Sequence, residues 1–134
     1  MAFQAVYTAI VTPFQNGSVD FAGLTRLIEH QIEGGVSGIV ACGTTGESAT
    51  LSDKETLAVT AHVVKVTNDA CKVVAGVGSN QTQHTVDLIR RAEDLGVDGA
   101  RILHDGEHGL EDVGVRRAVP NRTRAGRHAH GKTG

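Results

Sequence analysis

Apolar runs recur along this chain about every thirty residues, and that spacing limits its possible folds more than any other feature. The runs begin near Tyr7, Gly38, Lys72 and Gly99, and stretches of helical periodicity separate them. Thirty residues is roughly the length of one strand, one helix and the turns that return the chain to a parallel neighbouring strand. Gly38-Ile39-Val40-Ala41-Cys42 and Val73-Val74-Ala75-Gly76-Val77 are apolar at consecutive positions, which suits parallel strands covered on both faces. Tyr7 to Thr12 reads as the first strand, stopped by Pro13 and a turn at Asn16-Gly17. The fold class is therefore parallel α/β, either an open doubly wound sheet or part of a barrel. A complete (β/α)8 barrel needs about 250 residues, so 134 residues have room for about half of one.

The intervening helices carry their own punctuation. Asp20 can cap a helix whose apolar face is Leu24, Leu27, Ile28 and Ile32, with Gly34-Gly35 closing it. Ser52 and Glu55 form a capping box, predicting a helix to about Thr67 with Leu57, Ala61 and Val64 inward, broken at Asn68-Asp69. A third helix is predicted over 82–95, with Leu88, Ile89, Ala92 and Leu95 on one face and Gly96 after it. Gly35-Val36-Ser37-Gly38 and Gly96-Val97-Asp98-Gly99 echo one another, each joining a helix end to a new strand.

Charge divides the chain where the periodicity stops. Residues 1–100 hold six Lys/Arg and eleven Asp/Glu, a net of −5, whereas 101–134 carry a net of +3. All four aromatic residues precede position 22. The expected organisation is residues 1–100 as the folded α/β part and 101–134 as an unrelated, disordered basic tail. No apolar run approaches the roughly 18 residues of a membrane span, and the N-terminus lacks a signal-peptide pattern. A cytoplasmic protein is expected. Cys42 and Cys71 lie in apolar runs without Cys-x-x-Cys spacing, which fits buried thiols.

The chemistry concentrates in Gly43-Thr44-Thr45-Gly46-Glu47-Ser48, between the second strand and the second helix. It is neither a Walker A loop nor a dinucleotide fingerprint, and Glu47 disfavours a polyphosphate. Backbone N–H groups beside two hydroxyls suit a carboxylate, and a Thr hydroxyl can both donate and accept. The same residues also suit a plain strand-to-helix turn with hydroxyl capping, and local chemistry leaves both readings open. His104-Asp105-Gly106-Glu107-His108 fits the His-x-x-Glu-His zinc pattern literally, but Gly106 and Gly109 argue against the helix it needs, so no metal site is assigned. The tail arginines (Arg116, Arg117, Arg122, Arg124, Arg127) lack an aromatic for base stacking, and nucleic acid is not an expected partner.

Three segments carry a family resemblance: Tyr7 to Pro13, Gly43 to Leu51, and Val74-Ala75-Gly76-Val77-Gly78-Ser79-Asn80. Over residues 1–100 the chain resembles 4-hydroxy-tetrahydrodipicolinate synthase (dihydrodipicolinate synthase), of the pyruvate-dependent class I aldolases. The Thr-Thr of the loop favours the synthase over the N-acetylneuraminate lyases. The resemblance implies a TIM barrel, a homotetramer and no cofactor. It also implies a lyase of lysine (diaminopimelate) biosynthesis in which a lysine Schiff base with pyruvate condenses with aspartate semialdehyde. Thr44 matches the proton-relay threonine and Thr45 the residue holding the pyruvate carboxylate. Ser48, Ala49 and Asn80 match the lysine-feedback site, whereas Asp53, Thr56 and His84 replace its usual His, His and Glu, implying weak or absent feedback. The departures are equally specific. Tyr7 is the sole tyrosine, and Arg101-Ile102-Leu103-His104-Asp105-Gly106 stands where the family carries its tyrosine-bearing segment. The Schiff-base lysine has no counterpart, since Lys132 lies in the basic tail without the desolvation a nucleophilic amine needs. A truncation or frameshift near residue 101, and a chain inactive alone, are the expectations; the alternative is a non-catalytic carboxylate- or partner-binding α/β fragment.

Overall fold

The structure, a computed structural model, describes residues 5–78, 81–102 and 113–117. Its elements are β1 (Tyr7–Ala9), β2 (Phe14–Gln15), β3 (Ser18–Val19), α1 (Phe21–Glu33), β4 (Gly38–Ala41), a 3-10 turn (Ser48–Thr50), α2 (Asp53–Thr67), β5 (Lys72–Val77), α3 (Thr82–Leu95), β6 (Gly99–Ile102) and β7 (Val113–Arg117). One sheet runs β1-β4-β5-β6-β7, parallel through β6, with β7 antiparallel at its edge. The four parallel strands are those the thirty-residue spacing predicts. β1 is shorter than predicted, ending at Ala9 before Ile10 donates to the Val40 carbonyl. β7, beyond the last periodic segment, was not predicted. The Asn16-Gly17 turn closes the β2–β3 hairpin with both residues at positive φ (52° and 78°), a geometry glycine and asparagine accept readily.

The register fixes which side chains share a face. Ile39 pairs with Val73 and Ala41 with Ala75, and both pairs join Ile10 and Val77 in the core beneath the helices. Leu24 and Ile28 from α1, Val59 and Val63 from α2, and Leu88 and Ala92 from α3 complete that core. Each such aliphatic side chain larger than Ala contributes about 1.5–3 kcal/mol when fully buried. α1 presents the predicted face, with Leu27 and Ile32 partly buried. α3 buries Leu88 and Ala92 as predicted together with Thr85, which was not predicted, while Ile89 and Leu95 are only partly buried. α2 differs: its buried residues are Thr56, Val59, Thr60, Val63 and Thr67, while Leu57, Ala61 and Val64 are half-buried. Threonine explains the error. Thr60 Oγ1 donates to the Thr56 carbonyl at 2.7 Å, which satisfies the hydroxyl within the helix and lets its methyl pack as an apolar group.

The helix ends follow their sequence signals. The Asp20 side chain accepts from Gly23 N, and Ser52 and Glu55 exchange both capping-box hydrogen bonds. Asn68 and Gly96 end α2 and α3 in the left-handed conformation. The Gly-Val-x-Gly echo has a shared structural function. Ser37 N donates to Val6 O while Val6 N donates to Ser37 Oγ; Asp98 N donates to Val73 O while Val73 N donates to Asp98 Oδ2. In each echo the side chain before an incoming strand brackets the start of the neighbouring strand and so sets the register.

Candidate functional site

Because β1, β4, β5 and β6 run parallel, their carboxyl ends share one edge of the sheet, the edge where α/β folds place their sites. The Gly43–Ser48 loop leaves β4 there. Cys42 turns the chain with φ 55°, and Glu47 turns it again with φ 61° into the 3-10 turn. Glu47 N donates to Thr44 O at 3.0 Å and Ser48 N to Gly43 O at 3.3 Å, closing the loop on itself. A buried hydrogen bond of 2.7 Å from Thr12 Oγ1 to the Gly46 carbonyl fastens it to the segment after β1.

Two glycines make this packing possible. A Cβ on Gly46 would lie 3.2 Å from Cys42 N, Cys42 Cα and the Ile10 carbonyl. A Cβ on Gly76 would lie 2.2 Å from the Cys42 carbonyl oxygen and 2.8 Å from Gly43 N, so the loop passes directly over the β5 backbone. Thr44 and Thr45 are exposed at the outer face of the loop. Their N–H groups, that of Gly46, and both threonine hydroxyls make no hydrogen bond to another described residue. Adjacent undonated amides flanked by hydroxyls can take up a small anion.

The candidate effector residues divide. Ser48, half-buried, and Ala49, exposed, form the 3-10 turn, while Asn80 lies outside the described residues. His84 and Asp53 hydrogen-bond through Nε2 and Oδ2, joining the first turns of α3 and α2. Thr56 is buried, and its carbonyl accepts from Thr60. Cys42 is fully buried, and burial pushes its thiol up to about 11, so it stays protonated near neutral pH. Cys71 is half-buried rather than buried; desolvation and then the Asp98 carboxylate raise its thiol. Both shifts disfavour a thiolate nucleophile.

At the opposite edge of the sheet, Ser37, Asp69, Cys71, Lys72 and Asp98 line an open cleft of about 280 Å3. Its Ser37 and Asp98 oxygens are engaged by the Val6 and Val73 amides, which marks them as structural. The His104–His108 motif, Arg122, Arg124, Arg127 and Lys132 lie outside the described residues; of Arg116 and Arg117 only the strand backbone is described. Among the described residues no three His, Cys, Asp or Glu side chains are grouped to hold a metal ion, and no helix is long and apolar enough to cross a membrane. Sequence reading missed Thr12, Cys42 and Gly76 as parts of the site. Of these only Gly76 carried a signal, as an isolated glycine inside an apolar strand.

Comparison with known proteins gives consistent matches over the first three quarters of the chain. Residues 2–104 match the model of the dihydrodipicolinate synthetase family. The 4-hydroxy-tetrahydrodipicolinate synthase of Magnetococcus marinus is 50% identical over 101 residues, covering 75% of this chain and 35% of the relative. That of Methanocaldococcus jannaschii is 54% identical over 96 residues, covering 72% of this chain and 33% of the relative. A crystal structure of the chloride-inhibited enzyme from Acinetobacter baumannii, complexed with pyruvate, superposes with a TM-score of 0.71 at 41% identity, covering 75% of this chain and 35% of that one. The chain thus spans about a third of the length of the relatives it matches, and its parallel sheet corresponds to part of their (β/α)8 barrel.

Proposed function

The chain belongs to the dihydrodipicolinate synthetase family, and on that premise we propose that its Gly43–Ser48 loop is the pyruvate-carboxylate site of a 4-hydroxy-tetrahydrodipicolinate synthase-type aldolase. The observation that carries this reading is the run of three undonated amides, Thr44, Thr45 and Gly46, at the carboxyl edge of the parallel sheet. The pyruvate complex of the Acinetobacter baumannii relative supports the choice of ligand. In this reading the Thr45 N–H and hydroxyl hold the carboxylate. The Thr44 hydroxyl accepts a proton on one lone pair and releases its own, as a relay requires. The whole reaction joins pyruvate, held as a lysine Schiff base, to aspartate semialdehyde. The iminium acts as an electron sink that a ketone cannot match.

Among the described residues no lysine is placed to form that Schiff base. Lys54 and Lys65 are exposed on α2, and Lys72 begins β5 at the edge opposite the loop. An amine becomes a nucleophile near neutral pH through desolvation or a neighbouring cation, and these exposed positions do not desolvate it. With none of the described lysines placed for the Schiff base, the expected outcome for these residues is pyruvate binding without turnover. Titrating pyruvate while following the Thr44 and Thr45 amide resonances tests the site: saturable shifts are expected, and their absence overturns the reading. Borohydride reduction in the presence of pyruvate tests the chemistry. An unmodified mass is expected, whereas a trapped adduct places a Schiff-base lysine within these 134 residues and refutes that expectation.

A further inference from the structure

The residue at which the Gly43–Ser48 loop leaves β4 is a cysteine in a conformation that side chains avoid. Cys42 has φ 55°, and a left-handed backbone costs a non-glycine residue roughly 1–2 kcal/mol. Glycine would remove that cost, yet a cysteine stands here with its side chain fully buried. Its surroundings hold it from three sides. Sγ reaches α2, where its hydrogen can be donated to the Thr56 carbonyl at 3.7 Å. Thr60 Oγ1 lies 4.0 Å from Sγ, but its single hydrogen is committed to Thr56 O at 2.7 Å, so that contact is packing. The Cys42 carbonyl lies against Gly76 of β5, and its N and Cα lie against Gly46 of the loop itself.

Those contacts form one mechanical connection. The thiol anchors on α2, the carbonyl rests on β5, and the backbone turn between them sets where Gly43 departs. We propose that Cys42 is a positioning residue for the carboxylate loop: it touches no ligand, and its buried side chain holds the left-handed turn that directs the Thr44 and Thr45 N–H groups outward together. This rests on the carboxylate reading of the loop. A cysteine that only filled core volume would influence stability alone.

The test compares the full chain with Cys42→Gly and Cys42→Ala, with Asn68→Gly as a control at another left-handed residue far along α2 (φ 44°). Cys42→Gly permits the left-handed turn but frees the backbone and removes the anchor; Cys42→Ala keeps the Cβ and removes only the anchor. Pyruvate affinity is read from the amide titration at a temperature where circular dichroism shows every variant folded. Both Cys42 variants are expected to bind about fivefold or more weakly, with Asn68→Gly unchanged. Hydrogen exchange supplies a readout that needs no ligand. The Glu47 and Ser48 amides, whose bonds close the loop, are expected to exchange at least tenfold faster in both Cys42 variants and normally in the control. Unchanged exchange at those amides overturns the proposal, as does exchange that rises only in proportion to lost global stability. Should the unsubstituted chain fail to bind pyruvate, the carboxylate reading falls, and the exchange rates still decide the role of Cys42.

Discussion

Gly76→Ala and Gly38→Ala form a matched pair that tests whether the loop is locked by backbone contact. At both positions an added Cβ would come within 2.2 Å of another atom. At position 76 the neighbours are the Cys42 carbonyl oxygen, its carbon at 2.6 Å and Gly43 N at 2.8 Å, all backbone. Restoring ordinary contact near 3.5 Å requires a displacement of more than about 1 Å. Either the end of β4 lifts off β5, loosening the Val40–Val74 and Ala41–Ala75 pairing, or Cys42 leaves its left-handed turn. Overpacking costs about 1–3 kcal/mol and each lost ladder hydrogen bond about 1 kcal/mol, so Gly76→Ala is expected to cost about 3 kcal/mol or more. At position 38 the obstacle is the Tyr7 ring, and Tyr7 is 47% exposed. The ring can swing into solvent for about 1 kcal/mol of rotamer and packing energy. Urea unfolding followed by circular dichroism measures both. Tyr7 fluorescence adds a check specific to Gly38→Ala, because the chain has one tyrosine and no tryptophan. A Gly76→Ala variant within about 1 kcal/mol of the parent would refute the backbone-lock reasoning, as would equal losses in the two variants.

Three further outcomes follow from other contacts. Asp98→Ala deprives Val73 N of its acceptor and should cost about 1.5–3 kcal/mol in urea unfolding; Asp98→Asn, which keeps an acceptor oxygen, should recover more than half of that loss. Ser52→Ala removes a capping-box partner and should cost about 1 kcal/mol, seen as a lower midpoint with unchanged denaturant slope. Raising pH above 9 should destabilise the fold: burial holds the Cys42 thiol protonated up to about 11, from an ordinary value of 9.0, so the unfolded chain releases that proton first. The contribution is complete below pH 9 and is lost as pH rises toward 11, at no more than about 1.4 kcal/mol per unit. Cys42→Ala should flatten that slope, and an unaltered slope would show that another group is responsible.

What the sequence disclosed was mostly local. Asp20, the Ser52–Glu55 pair, Asn68 and Gly96 act within one helical turn of themselves, and each marks the helix end it was expected to mark. β4 and β5 were readable because burial on both faces writes an uninterrupted apolar run. The inward face of α2 was not, because Thr56, Thr60 and Thr67 count as polar until intrahelical bonding such as that of Thr60 is known. The loop's composition identified the candidate site, but its rigidity depends on contacts between residues 34 apart in the chain: Thr12 reaches Gly46, and Gly76 admits Cys42. No local pattern encodes such a meeting. The positive φ of Cys42 was hidden for the same reason, since nothing about a cysteine announces a left-handed turn.

The two brackets at Ser37 and Asp98 bear on the order in which such a chain assembles. Each closes a circuit of 31 or 25 residues, one strand and its return helix, and neither needs a strand further along to be in place. Register is thus settled one circuit at a time, and an error in one circuit does not shift the alignment of the next. Short closures also have a low entropic cost and favour rapid assembly. Structure can then accumulate in the direction of synthesis, each completed circuit offering a finished strand for the next to join.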